Sequence, residues 1–185
     1  MKIKITDLKR KLKEYDQKEM IDLVVELFKA NKEIQNYLSS KFLGEEVIED
    51  LYSKARKKIK NEFFPERGFG KLRLTEAKKE ITAFKKVTND LKRTVDLMLY
   101  YVEQGVEFTS TYGYINDSFY SSMLKMFDQV AMECDQDEEL YKELSTRLHN
   151  VIVNAEGTIW GFEEALVELF YSIEWVHDED VDEGK

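Results

Sequence analysis

The stretch Asn61-Glu62-Phe63-Phe64-Pro65-Glu66-Arg67-Gly68-Phe69-Gly70-Lys71-Leu72-Arg73-Leu74 decides how this chain is read. It holds the only proline, Pro65, and two of the eight glycines, Gly68 and Gly70. Pro65 has no backbone donor and biases Phe64 away from helix, so a helix arriving from the N-terminal side stops at Phe63 or Phe64. Gly68 and Gly70 permit positive φ. Phe63, Phe64 and Phe69 predict a corner plugged into a core. Arg67, Lys71 and Arg73 predict a cationic surface on the same corner.

On either side of this break the pattern is amphipathic helix. One proline in 185 residues is far below the average of about 5%. Toward the N-terminus, Thr6 is expected to cap a short helix over Asp7–Glu14, and Asp16-Gln17-Lys18-Glu19 has capping-box form. Met20, Leu23, Val24 and Leu27 then recur at helical spacing. A segment with Ile34, Tyr37, Leu38 and Phe42 ends near Gly44, and Glu45, Glu46 and Glu49 suit the first turn of a longer helix. Toward the C-terminus, Thr75 is expected to cap a helix over Glu76–Val87, and Thr88 or Asn89 the next. Leu91–Glu103 is apolar nearly all round and reads as a central helix. Gly105 to Asn116 reads as a loop. A helix then starts at Asn116 or Asp117, another spans Gln136–Val153, and Thr158 caps the last. The fold expected is all-α, with eight or nine antiparallel helices packed as a bundle or as stacked hairpins, solenoid-like at the extreme. Residues 1–176 are expected to form one helical domain, and 177–185 an acidic, disordered tail.

Charge is unevenly divided. Residues 1–86 carry 22 Lys and Arg against 15 acidic residues, whereas residues 87–185 carry 6 against 22. The basic excess concentrates in Lys54–Lys86, with 12 basic and 4 acidic residues. Either the halves attract each other or present solvated faces, or the basic segment binds anions. The longest apolar run is six residues, Leu97–Val102, against the roughly 20 needed to span a membrane. The N-terminus lacks the apolar core of a signal peptide, and the single Cys134 cannot form an internal disulfide. A cytoplasmic setting is expected.

No motif carries recognisable chemistry. Gly68-Phe69-Gly70 lacks the third glycine of a dinucleotide fingerprint and the Gly-Lys-Ser/Thr of a phosphate loop. His149 has Ser145 one turn earlier but no partner carboxylate at a telling spacing. His177-Asp178-Glu179-Asp180 is a weak cation-binding run at most, and Cys134 has acidic neighbours that disfavour its thiolate. Glu103, Glu107, Asp117, Glu163 and Glu164 lack the Glu-x-x-His pattern of helical di-metal sites. Trp160-Gly161-Phe162 and Tyr112-Gly113-Tyr114 suggest close helix packing. No cofactor and no metal is expected.

Three stretches taken together, Asn61–Leu74, Asp96–Thr109 and Gly157–Ala165, resemble a family of small bacterial helical proteins known only as a domain of unknown function. The resemblance spans residues 8–171. It implies a compact helical fold and a bacterial cytoplasmic setting, and it brings no catalytic residues to carry over.

The expected role is a non-enzymatic protein-interaction or scaffold module. Its patch comprises Arg67, Phe69, Lys71, Arg73 and Lys78, near the stretch Gly105–Tyr114, and its partner is a protein rather than a membrane. One alternative is a nucleic-acid or polyanion binder using Arg56, Lys57, Lys58, Lys60, Arg67, Lys71, Arg73, Lys78 and Lys79, opposed by the acidic C-terminal half. A weaker alternative is an enzyme with a helical pocket holding Glu103, Glu107 and Arg67.

Overall fold

The computed structural model describes residues 3–159 and 161–176. Among them there are nine α-helices and no strand, as the helical periodicity predicts. The expected tail 177–185, its His177–Asp180 run and Trp160 lie outside the described residues. The chain divides into two compact units, Met1–Ile48 and Glu49–Lys185.

The first unit contains α1 (Ile5–Leu12), α2 (Gln17–Ala30) and α3 (Lys32–Leu43). α2 opens on the expected capping box: Glu19 N donates to Asp16 Oδ1 and Asp16 N to Glu19 Oε2, both at 2.8 Å. Asn31 ends α2 and caps α3, its Oδ1 accepting from Glu33 N at 2.8 Å. Gly44, at φ +71°, ends α3 in a backbone conformation that a side chain resists. Thr6 is not a cap, because α1 begins one residue before it, with Lys4 at the N-cap and no side-chain bond. The apolar stripe of α2 is present but uncovered: Val24 is 40% and Leu27 45% exposed. Among the described residues, no apolar side chain of this unit is buried.

The second unit takes in most of α4 (Glu45–Phe63), then α5 (Leu74–Thr88), α6 (Leu91–Tyr112), α7 (Asp117–Gln136), α8 (Glu138–Ala155) and α9 (Phe162–Tyr171). α6 lies at its centre, packed against α5, α7 and α8, while α9 closes over α7 and α8. This is a bundle rather than a solenoid. Val95, Leu97, Leu99, Tyr101 and Val102 of α6 are shut off from solvent, as are Met123 and Phe127 of α7 and Leu148 of α8. Burial of each such side chain contributes roughly 1.5–3 kcal/mol.

Several expected boundaries are corrected. The region Gly105–Asn116 is not a loop, because α6 runs on to Tyr112. Gly105 is buried where α6 meets α7, and a Cβ there would lie 2.1 Å from Met123 Sδ. Its glycine serves close approach, and packing outweighs the roughly 1 kcal/mol that glycine costs a helix. Conversely, Gly113 and Gly161 have open space around them and positive φ, so those aromatic–glycine pairs mark chain reversals rather than close packing. Thr75 does not cap α5, which starts at Leu74. Asp90 rather than Thr88 or Asn89 caps α6, accepting from Arg93 N at 2.9 Å. Thr158 donates to Ala155 O, and α9 begins instead after Gly161, whose N–H donates to Glu164 Oε2. Gln136 closes α7 rather than opening the next helix, with Asp137 as the cap of α8.

Candidate functional site

α4 ends at Phe63, where Pro65 requires it to, and the chain turns back along the helix end. Three contacts close the base of this turn. Leu72 N donates to Glu62 O at 2.9 Å. Arg73 forks onto the Glu62 carboxylate, Nε to Oε2 at 3.0 Å and Nη2 to Oε1 at 2.7 Å. Gly70 presses on the helix end so closely that a Cβ would stand 2.1 Å from Phe63 O. Leu72 is held at φ +50°, a left-handed conformation costing a branched side chain about 1–2 kcal/mol. Glu62 is buried, and its hydrogen bonds hold the Arg73 guanidinium above its ordinary pKa. A bidentate Arg–carboxylate pair fixes geometry as well as charge.

The aromatics of the turn divide. Phe63 is buried against Tyr101, ring centroids 5.6 Å apart. Phe64 is half-buried and lies 5.6 Å from Phe108 and 6.4 Å from Tyr112. The turn and the end of α6 therefore meet through these rings. Phe69, which the sequence offers both as a core plug and as part of the surface patch, is 84% exposed, because it sits at the tip that Pro65 and Gly68 carry away from the helix.

The five expected patch residues also divide. Arg67, Phe69, Lys71 and Arg73 line one concavity of about 310 Å³ with Lys57, Asn61, Glu62, Pro65 and Glu66. Lys78 is not in it. It lines a neighbouring concavity of about 530 Å³ with Thr75, Glu76, Ser118 and Ser122, and Arg73 borders both. Lys78 Nζ donates to Ser122 Oγ at 3.0 Å, and Ser122 is hydrogen-bonded at 2.9 Å to Tyr101, whose hydroxyl pKa burial pushes up to about 12.

Six of the twelve cations of the basic segment are ion-paired at close range. Lys57 pairs with Glu66 at 3.4 Å, Lys58 with Glu80 at 2.9 Å and Lys79 with Glu76 at 2.8 Å. Lys54 pairs with Asp50 at 2.5 Å. Among the described residues, Arg67 and Lys71 make neither an ion pair nor a side-chain hydrogen bond.

A second polar cluster lies where α4, α6 and α8 meet. Arg147 on α8 forks onto Glu103, Nε to Oε1 at 2.7 Å and Nη2 to Oε2 at 2.8 Å, and also bonds Asp96. Asp96 further accepts from the Tyr52 hydroxyl and lies 3.7 Å from Arg56. Arg56 stacks 4.0 Å over Tyr100 and donates to Tyr52 Oη at 3.0 Å. Burial works against the Arg147 charge, but the Glu103 hydrogen bonds and the two carboxylates outweigh it and raise its pKa. Tyr52 is raised by burial and then by its bond to Asp96. The sequence singles out Glu103 but with other partners, Glu107 and Arg67, and it does not announce Asp96 or Arg147, which lies 44 residues beyond Glu103. The cluster's one legible trace is the i, i+7 spacing that places the Asp96 and Glu103 carboxylates on one face.

The remaining candidates resolve singly. Ser145 donates to Lys142 O rather than to His149, which is exposed beside Phe170. Cys134 is buried, and burial first, then Asp137 and Glu133, pushes its thiol up to about 12. Glu103 is engaged by Arg147, Asp117 accepts from Tyr114, Glu163 from Gly157 N and Glu164 from Gly161 N. Glu107 accepts from Gln104 Nε2 at 3.1 Å. Glu103 and Glu107 are absent from the lining of the Arg67 concavity, so the residues of the expected enzyme pocket share no cavity there. Among the described residues no His, Cys, Asp and Glu group suits a metal ion, and no helix is long and apolar enough to cross a membrane.

Fold and site define an all-α protein whose bundle displays a braced turn bearing an exposed aromatic between free cations. The sequence profile of a Family of unknown function, DUF6155, matches residues 3–171, and the chain belongs to that family. No curated protein and no solved structure matches it.

Proposed function

We propose that this chain is a non-enzymatic protein-interaction module whose contact surface is the turn from Pro65 to Arg73. One observation carries the reading: Phe69 is 84% exposed between Arg67 and Lys71 on a turn whose base is rigid. Aromatic and Arg side chains dominate binding energy at protein interfaces, and a braced backbone spares the ordering cost of docking. The partner surface is acidic around an apolar pocket that accepts the Phe69 ring. The lone, buried Cys134 suits a reducing, cytoplasmic setting. Polyanion binding is disfavoured, because Lys57, Lys58, Arg73 and Lys79 already face carboxylates within 3.4 Å. The test is affinity capture with the wild-type chain, Phe69→Ala and Arg67→Ala, alongside their melting temperatures. The proposal expects both variants to lose the same partner at unchanged melting temperature. Full retention of the partner, or a melting temperature lowered by several degrees, contradicts it.

A further inference from the structure

The first unit holds an open apolar groove and, in the same chain, an uncovered helix with the spacing to fill one. Val24, Val25 and Phe28 of α2 face Leu38, Phe42 and Leu43 of α3 across a concavity of about 310 Å³. Phe42 is 76% and Leu43 70% exposed. In α1, Ile5, Leu8 and Leu12 share one face at i, i+3 and i+7, and Ile5 is 72% exposed. No residue of α1 lines the groove of its own chain, and α1 makes no extensive packing contact with another helix. Charge is complementary along the α2 wall. Residues 1–13 carry six Lys and Arg against one Asp, whereas α2 carries two Lys against three acidic residues and α3 two Lys against one. Among the described residues Lys4, Lys9, Lys11 and Lys13 make no ion pair, and neither do Asp22 and Glu26 of α2. Asp22 lies one turn before the groove residue Val25, on the same face of α2.

We infer that the chain self-associates through this unit, with α1 of each copy seated in the α2–α3 groove of a second copy. An amphipathic helix laid in an apolar groove is a recurrent mode of recognition, read by anchors at this spacing. Because each copy offers both helix and groove, a two-fold pair satisfies both surfaces twice and leaves none to propagate. The contact is independent of the Pro65–Arg73 turn, so either reading can fail without the other.

The test is sedimentation of the full chain across a wide range of micromolar concentrations, with Leu8→Glu on the helix and Phe28→Glu in the groove. The wild type is expected to dimerise, and each variant to weaken the dimer by about tenfold or more. Both positions are exposed, and circular dichroism is the check that each variant retains its helix. Should Phe28→Glu unfold the hairpin, Leu8→Glu carries the test alone. Mixing Leu8→Cys chains with Val25→Cys chains is expected to give an intermolecular disulfide that neither variant gives alone, since native Cys134 is buried. A monomer at every concentration, a dimer that Leu8→Glu leaves unchanged, or anionic-vesicle binding without any dimer overturns the inference.

Discussion

The two units are written in the same amphipathic code yet end in opposite states. α2 repeats apolar residues at helical spacing as regularly as α7 does. But Met123 and Phe127 of α7 are shut from solvent, whereas Val25 and Phe28 of α2 are 42% and 40% exposed. The difference is the number of neighbours. α7 is covered by α6, α8 and α9, whereas α2 packs extensively on α3 alone. A two-helix hairpin cannot bury both apolar faces, so the same pattern that builds a core in one unit leaves a binding surface in the other.

Truncations should therefore separate the units sharply. Phe127→Ala is expected to lower unfolding free energy by about 4 kcal/mol. Phe28→Ala, at concentrations too low for association, should cost about 1 kcal/mol or less. Denaturant titration measures both, and equal losses would break the contrast. Next in size is the polar cluster. Arg147→Ala leaves Asp96 and Glu103 without their shared partner and should cost roughly 2–3 kcal/mol, with Arg147→Lys recovering only part because it lacks the fork. Gly105→Ala sets a Cβ against Met123 Sδ, and should cost about 1–2 kcal/mol in the same assay.

A pH effect is expected from the second unit. The Cys134 thiol titrates near 9 when unfolded but near 12 when folded. Between those values the unfolded chain loses a proton that the folded chain keeps. Stability is therefore fully present below pH 9 and falls as pH rises toward 12, by up to about 1.4 kcal/mol per pH unit for this one proton. Comparing wild type with Cys134→Ala by denaturation across that range should show a shallower decline in the variant. The smallest expected effect is at the exposed turn: Phe69→Ala should change stability by no more than about 0.5 kcal/mol while abolishing partner binding.

The helices were legible where local chemistry sets them. Asp16 with Glu19, Gly44 and Pro65 each determine a helix end through a contact within a few residues, and each is found as read. Thr75 and Thr158 misled because a threonine can accept from the first N–H groups of a helix, whereas α5 starts after Arg73 with no side-chain cap and α9 after Gly161, whose N–H donates to Glu164. Gly105 misled for a different reason. A glycine that breaks a helix and one that lets two helices touch are identical in sequence, and only Met123 on another helix decides between them. At the candidate site, the rigid base and the free Arg67 and Lys71 lay within the quoted stretch. Whether Phe69 plugs the core or joins the surface patch is not legible there, because composition records an aromatic, not its direction. The Asp96–Glu103–Arg147 cluster depends on which helices become neighbours, so no local pattern announces it.

The contrast between the units is tested most directly by amide hydrogen exchange on the full chain at low and high concentration. Exchange in α2 and α3 is expected to slow as concentration rises, while α6 and α7 stay equally protected at both. Protection of α2 and α3 that matches α6 at low concentration, or that does not change with concentration, would contradict an apolar surface left open for a second copy.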